Sequence, residues 1–244
     1  MEKLEDIYYF IFSEWYWSFL FFFLFFSTLY FGGTFIASVI LRSLRSKGKV
    51  HAIYQNLHKG QVSHEISRSM VSILIFSIQA IPLPWLIHNG YFHIRFHHAW
   101  SCLWEIPVMF LWNEIHFYAV HWLLHRKWLM KHVHYVHHQS KEPTVYSVFS
   151  FHWVEAFLLG TVVFFPLAVH DFHIFSVLSL PVMSIILNLI GHCNHEKETT
   201  ADIEDVSRLT FRHTMHHKWS QGNFGFMLPY LDQLFKTSLP KNKQ

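Results

Sequence analysis

The histidines of this chain constrain its fold more than any other feature. Between positions 121 and 138 the sequence reads HWLLHRKWLMKHVHYVHH, with His121 and His125 four apart and His134, His137 and His138 at offsets of zero, three and four. The second spacing returns as His213, His216 and His217. Residues three and four apart share a helix face, so each group can aim two or three imidazoles at one point. Two such groups, separated by long apolar sequence, are expected to form the halves of one metal site. The chain must fold back on itself to close it.

The apolar sequence sets the solvent. Hydrophobic residues make up 52% and charged residues only 14%, against about 25% charged in an ordinary soluble domain. Apolar runs cover residues 15–41, 70–88, 103–120, 154–169 and 172–190. The first exceeds the roughly 20 residues that cross a bilayer, so tilt is expected. With Glu2, Glu5 and Asp6 ahead of it, it reads as a retained span rather than a cleaved signal. Its phenylalanines at 21–26 read as lipid-facing bulk.

The second run is interrupted by Gln79, Pro82 and Pro84 and is expected to kink or to stay shallow. The third carries Glu105, Asn113, Glu114 and His116, and ionisable groups within a span generally face a protein interior or a functional cavity. The last two form a helical hairpin split by His170 and Asp171. Residues 50–69, mixed in polarity, are expected to lie along the interface. The predicted fold is an all-α integral membrane protein with four to five transmembrane helices and a cytoplasmic His-rich helical cap.

Orientation follows from charge. Five spans leave residues 42–69, 121–153 and 191–244 on one side, with 17 of the 19 Lys and Arg; only Lys3 and Arg95 lie opposite. Positive residues favour the cytoplasmic side, so the histidine clusters are expected there together. His88, His93, His97 and His98 fall on the far side. The net charge of +3 and the lack of a dense basic run argue against nucleic acid as a partner. Cys102 and Cys193 fall at opposite faces and read as free thiols. Any metal site must therefore be built from imidazole.

Imidazole nitrogen suits iron, zinc, copper and nickel. Counting His192, nine candidates are too many for one ion, since a catalytic zinc takes about three protein ligands. The Glu-x-x-His pattern of soluble di-iron bundles is absent from the clusters. Spacing alone thus points to a two-metal, His-rich site at the membrane surface.

Four motifs occur in order: HWLLH at 121–125, HYVHH at 134–138, GHCNHE at 191–196 and HTMHH at 213–217. EPTVYSVFSFHWVE follows the second and GNFGFMLPYLDQLFKTS the last. In these residues the chain resembles the fatty acid hydroxylase/sterol desaturase superfamily of membrane non-haem di-iron oxygenases, over roughly residues 105–238. The resemblance implies residues 1–104 as N-terminal spans with a basic interfacial segment, and 105–244 as a fatty acid hydroxylase-like catalytic domain. It implies O2- and electron-dependent hydroxylation or desaturation of a lipid of sterol or fatty acyl class.

The implied metal ligands are His121, His125, His134, His137, His138, His192, His213, His216 and His217. They would hold two iron ions, with zinc possible instead. Trp153 stands where the family usually has Pro, and Lys236 where it often has Gly. The lipid would come from the bilayer. Electrons would come from a separate cytochrome b5-, ferredoxin- or reductase-type donor, because no flavin or nicotinamide fingerprint is present. The expected compartment is the endoplasmic reticulum in a eukaryote or the inner membrane in a bacterium.

Ligating histidines usually donate their second N–H to an acceptor. Glu114, Glu155, Glu196 and Asp232 are the carboxylate candidates, and Asn223 is expected to shape the turn after the last cluster. His152 is balanced between ligand and supporting residue, and His195 between ligand and surface residue. His116 reads as a packed polar group, and His132 faces away. A His-ligated zinc enzyme and a metal transporter are the rival readings.

Overall fold

The computed structural model describes residues 2–53, 57–197 and 202–240. Helices α1 (Glu2–Ile11) and α2 (Trp15–Ser46) open the chain. With 32 residues, α2 is about 48 Å long, more than the roughly 30 Å hydrocarbon core of a bilayer. It buries only Ser18, Tyr30 and Thr34. Most of its side chains are thus left for lipid or for the cavity described below.

A short strand β1 (His51–Ala52) leads to α3 (Gln61–Gln79). The helix stops before Pro82, which lacks an amide donor. The chain resumes as α4 (Leu83–His88), with Pro84 in its first turn, where the missing donor costs nothing. Helix α5 (Cys102–Leu124) follows, then α6 (Lys127–Leu129), a π-helical turn (Met130–His134) and α7 (Tyr135–His138). The run at 153–169 is broken into α8 (Trp153–Gly160), a 3-10 turn and α9 (Phe164–Val169). Helix α10 (Ile174–His192) ends beside strand β2 (His195–Glu196), which pairs antiparallel with β1, His51 opposite Glu196. Two helices, α11 (Leu209–Trp219) and α12 (Tyr230–Phe235), close the described chain.

Three helical stretches are long and apolar enough to cross a membrane: α2, the α3–α4 unit and α10. That is fewer than the four to five that the apolar runs predict. The stretch at 153–169 is short and broken. Helix α5 has 23 residues, but buries Glu105, Asn113 and Glu114 against protein. Of residues 50–69, the described ones form β1 and the first half of α3, and Glu65 anchors that half. Glu65 is fully buried and accepts hydrogen bonds from Gln61 Nε2 at 2.8 Å, Ser140 Oγ at 2.7 Å and Thr144 Oγ1, which draws the start of α3 into the protein.

The core is built of three clusters of buried side chains. Tyr30, Ile73, Val148, Phe149, Phe151, Ala156 and Ile185 pack α2, α3, α8 and α10 together nearest the histidines. At the opposite end, Arg95 pairs with buried Glu105, whose Oε2 accepts the His173 amide at 2.8 Å. His88, His93, His97 and His98 are exposed at that end, away from the clusters. Both cysteines are free.

Candidate metal centre

The two halves of the site come from differently built backbone. Helix α5 ends at Leu124, so His121 lies in its last turn and His125 is the residue that caps it. Arg126 then turns extended, its guanidinium 3.3 Å from the centroid of the Trp122 ring. The HWLLH pair thus straddles a helix end. The next cluster begins in the π-helical turn and finishes in α7. Such turns insert one residue per repeat and frequently accompany functional sites. By contrast His213, His216 and His217 occupy one face of a regular helix, α11, as their spacing predicts. His192 is the last residue of α10.

All nine imidazoles converge, in two adjoining groups. His121, His125, His134, His138 and His216 form one; His137, His192, His213 and His217 form the other. Within each group the candidate ligand nitrogens lie within 4.8 Å of one another. The groups touch, with the His138 and His217 ring centroids 4.8 Å apart. Apart from half-buried His125, none of the nine is more than 6% exposed.

The outer nitrogens are held by acceptors. His121 Nδ1 donates to Phe224 O at 2.9 Å, His192 Nδ1 to Asn188 O at 2.9 Å, His216 Nδ1 to Gly222 O at 2.6 Å and His137 Nδ1 to Ser150 O at 3.3 Å. His134 Nδ1 meets Glu155 Oε1 at 2.8 Å. A carbonyl can only accept, so each ring facing one carries its proton on Nδ1 and turns the Nε2 lone pair inward.

The inner nitrogens are crowded. His138 Nε2 is 3.1 Å from both His134 Nε2 and His216 Nε2, and His213 Nε2 is 3.1 Å from both His192 Nε2 and His217 Nε2. Facing lone pairs at that distance repel. Two ligands about 2.1 Å from one ion are about 3 Å apart at right angles, so a cation bound among them turns the repulsion into attraction. His125 Nε2 is buried without a partner among the described residues, a further donor awaiting an acceptor of lone pairs. The residues present fit a pair of transition-metal ions.

Electrostatics point the same way. Burial, reinforced by neighbouring imidazoles, holds His134, His137, His138, His213 and His217 well below the usual histidine range. Burial takes His216 to about 4. All are therefore neutral at pH 7, the protonation state that ligates metal.

The loop after α11 orients both halves. Ser220, Gly222 and Asn223 all take positive φ. At Gly222 a side chain is excluded twice over: φ is 59°, and a Cβ would stand 2.6 Å from Thr237 O. The Phe224 ring covers His125, centroids 4.7 Å apart. Asp232 fixes the loop by accepting the Phe224 and Gly225 amides at 2.8 and 2.7 Å. Glu114 takes the Leu228 amide at 2.8 Å, and buried Arg212 donates to Met227 O at 2.6 Å.

Of the four carboxylate candidates, only Glu155 touches a clustered histidine. Glu114 and Asp232 act through the loop backbone, and Glu196 instead pairs with Arg208 at 2.6 Å. Asn223 shapes the turn as expected, its Oδ1 accepting the Leu239 amide at 3.0 Å. His152 and His195 stand outside both groups. His152 caps α8 by accepting the Val154 amide at 3.2 Å, and His195 lies in β2. His116 packs against Thr161 Oγ1 at 3.0 Å, and exposed His132 donates back to Trp128 O. Lys236 occupies a left-handed position (φ 56°) at the end of α12, which explains why glycine suits that place. Gly222 and Phe224 lie in the GNFGF stretch already singled out, but their contacts with the histidines depend on where the loop returns; Arg212 carried no signal in the sequence.

A cavity of about 310 Å³ lies between the apolar helices beside the centre, walled almost wholly by apolar side chains. Phe117, Phe151, Leu159 and Asn188 line both it and a small space directly beneath His121, His134, His137, His192 and His213. Phe21, Phe22, Phe25 and Phe26 form part of its wall. This corrects the reading of that run as lipid-facing bulk: a helix turns successive residues through 100°, so a six-residue run of five phenylalanines and Leu24 faces lipid and cavity in turn.

Comparison with known proteins agrees. The sequence model of the fatty acid hydroxylase family ("Fatty acid hydroxylase") matches residues 106–237. A very-long-chain aldehyde decarbonylase of Oryza sativa subsp. indica is 27% identical over 54% of this chain and 52% of its own length. The lathosterol oxidase of Rattus norvegicus is 34% identical over 41% of this chain and 36% of its own. A Delta(7)-sterol 5(6)-desaturase of Gibberella zeae is 23% identical over 71% and 55%. The chain spans about half the length of most of these curated relatives. No solved structure matches it. The family match covers more than half of the chain and contains every one of the nine converging histidines, so the chain belongs to the fatty acid hydroxylase/sterol desaturase superfamily.

Proposed function

We propose that the protein is a membrane-bound di-iron oxygenase that hydroxylates or desaturates a lipid. The observation that carries this reading is the convergence of nine neutral, inward-facing imidazoles on the end of an apolar cavity. His121, His125, His134, His138 and His216 would hold one iron, and His137, His192, His213 and His217 the other. When bound, the metal pair supplies activation of O2 for C–H oxidation, chemistry beyond side chains alone.

The chain's own residues prepare that chemistry. Glu155 fixes the orientation of His134, and the backbone carbonyls of Phe224, Gly222, Asn188 and Ser150 fix four more rings. Phe117, Phe151 and Leu159 guide an alkyl segment from the cavity toward the imidazoles and keep water from it. Residues 105–244 carry all nine ligands, while residues 1–104 contribute α1, α2 and α3 to the cavity wall. Charge asymmetry favours a cytoplasmic site, reached by a separate electron donor. The compartment would be the endoplasmic reticulum in a eukaryote or the inner membrane in a bacterium.

The relatives named above are a decarbonylase, an oxidase and a desaturase, and lend no support to a zinc enzyme or a transporter. A transporter would also place its ligands mid-membrane, whereas none of these lies in the middle of a candidate span: His192 is the last residue of α10 and the other eight lie outside the three stretches. Elemental analysis of the purified protein is expected to find iron in both groups. Absence of stoichiometric iron, with no activity regained on adding it, would falsify the proposal. Lipid mass spectrometry of cells with and without the protein, and with His137→Ala, is expected to show a product gained by one oxygen or lost by two hydrogens.

A further inference from the structure

Two residues of the apolar cavity's wall carry buried polar atoms with nothing to bind. Asn113 is 4% exposed and Gln79 9% exposed, and both line the cavity. Asn113 Nδ2 has no hydrogen-bond partner among the described residues, and neither has Gln79 Oε1. Gln79 is not free to turn away, because its Nε2 donates to Phe157 O at 2.9 Å. Its amide lies against Gly160, where a Cβ would come within 2.0 Å of Oε1. His116, three residues after Asn113 and so on the same face of α5, also lines the cavity. An unsatisfied buried polar group is destabilising, and hydrocarbon offers no relief. Two in one cavity wall call for a ligand.

We infer that Asn113 and Gln79 recognise an uncharged hydroxyl on the lipid substrate. A hydroxyl both donates and accepts, so it suits a wall offering an orphan N–H and an orphan C=O. The cavity lining includes no Lys, Arg, Asp or Glu. A carboxylate or phosphate head would therefore meet no counter-charge there, and burying it is costly. Asn113 precedes His121 by eight residues, about 12 Å along α5. The hydroxyl would thus sit about 12 Å from the metal centre, acting as a stop that selects which carbon reaches it. Asn113 is a specificity-determining residue in this account, not a catalytic one.

The inference rests on the proposed lipid oxidation at the same site, and binding separates the two. Purified full-length protein in detergent is tested with paired probes: hexadecan-1-ol against hexadecane and hexadecanoate, and cholesterol against 5α-cholestane. On at least one skeleton the alcohol is expected to bind about tenfold more tightly than its hydrocarbon, the yield of one hydrogen bond in a dry site. In Asn113→Leu that preference should fall to within about twofold, with hydrocarbon binding and iron content kept. No alcohol preference in the wild type, tightest binding of hexadecanoate, or a preference unchanged in Asn113→Leu would each overturn it. Iron content and product measured on the same preparations keep the readings apart. Alcohol preference without iron removes only the di-iron reading, and iron with product but no preference removes only the hydroxyl anchor.

Discussion

His134–His137–His138 and His213–His216–His217 share one spacing but use it in opposite senses. In the first, the outer pair His134 and His138 joins one metal group and the middle residue His137 joins the other. In the second, the outer pair His213 and His217 joins the group containing His137, and the middle residue His216 crosses to the group containing His134. Each motif therefore supplies two nitrogens to one group and one to its neighbour. The support differs as well. The first motif leans on a carboxylate, Glu155, through His134, whereas in the second His216 leans on a backbone carbonyl and His217 Nδ1 has no partner among the described residues. A repeated spacing thus specifies which rings share a helix face, not which ion they serve.

The largest expected effect tests that division. His138→Ala should remove iron mainly from the first group and His213→Ala mainly from the second, each lowering turnover more than about 100-fold, since loss of supporting residues alone costs 10–100-fold. Iron stoichiometry with Mössbauer spectra of each variant checks this. Identical loss of both ions in both variants would show that the groups are not separable.

Next is the carboxylate found on one side only. Glu155→Gln should weaken iron affinity or turnover by about 10–100-fold and act first on the group containing His134. Metal content and turnover both unchanged would remove Glu155 from the site.

Acidification should strike both motifs. His216 has a folded value of about 4 against 6.5 unfolded, so its contribution to stability is complete above about pH 6.5 and is lost as pH falls toward 4. For this fully buried ring that amounts to about 3 kcal/mol. Melting temperature of metal-free protein between pH 7 and 4 measures the loss; a flat profile would mean the rings are hydrated rather than buried. The smallest effect lies in the loop that serves both halves. Lys236→Gly should stabilise by about 1 kcal/mol, by relieving a left-handed lysine, as read by a rise in melting temperature with turnover unchanged.

Much of this was legible in the sequence. The helical class, the membrane character and eight of the nine histidines follow from local facts, apolar run length and ring spacing on a 3.6-residue helix, while His192 came only from the family-like GHCNHE motif. Those facts concern residues within a turn or two of each other, where the backbone alone dictates neighbourhood. Other features were decided only by tertiary structure. Three helical stretches have the length and apolarity of a span because the run at 153–169 breaks and α5 carries Glu105 and Glu114, whose burial is settled by what packs against them. The Phe21–Phe26 face meets a cavity only because α3, α5 and α10 leave one. Gly222 and Phe224 sit in the GNFGF stretch but reach the site only through a loop held by Asp232 and Glu114, and Arg212, which carries no motif, helps to hold that loop from α11. The allocation of rings to two groups depends on the distance between α7, α10 and α11, which no spacing within a helix can encode. The sequence by itself determined which imidazoles share a helix face; the packing of helices far apart in the chain decided which of them converge in one group.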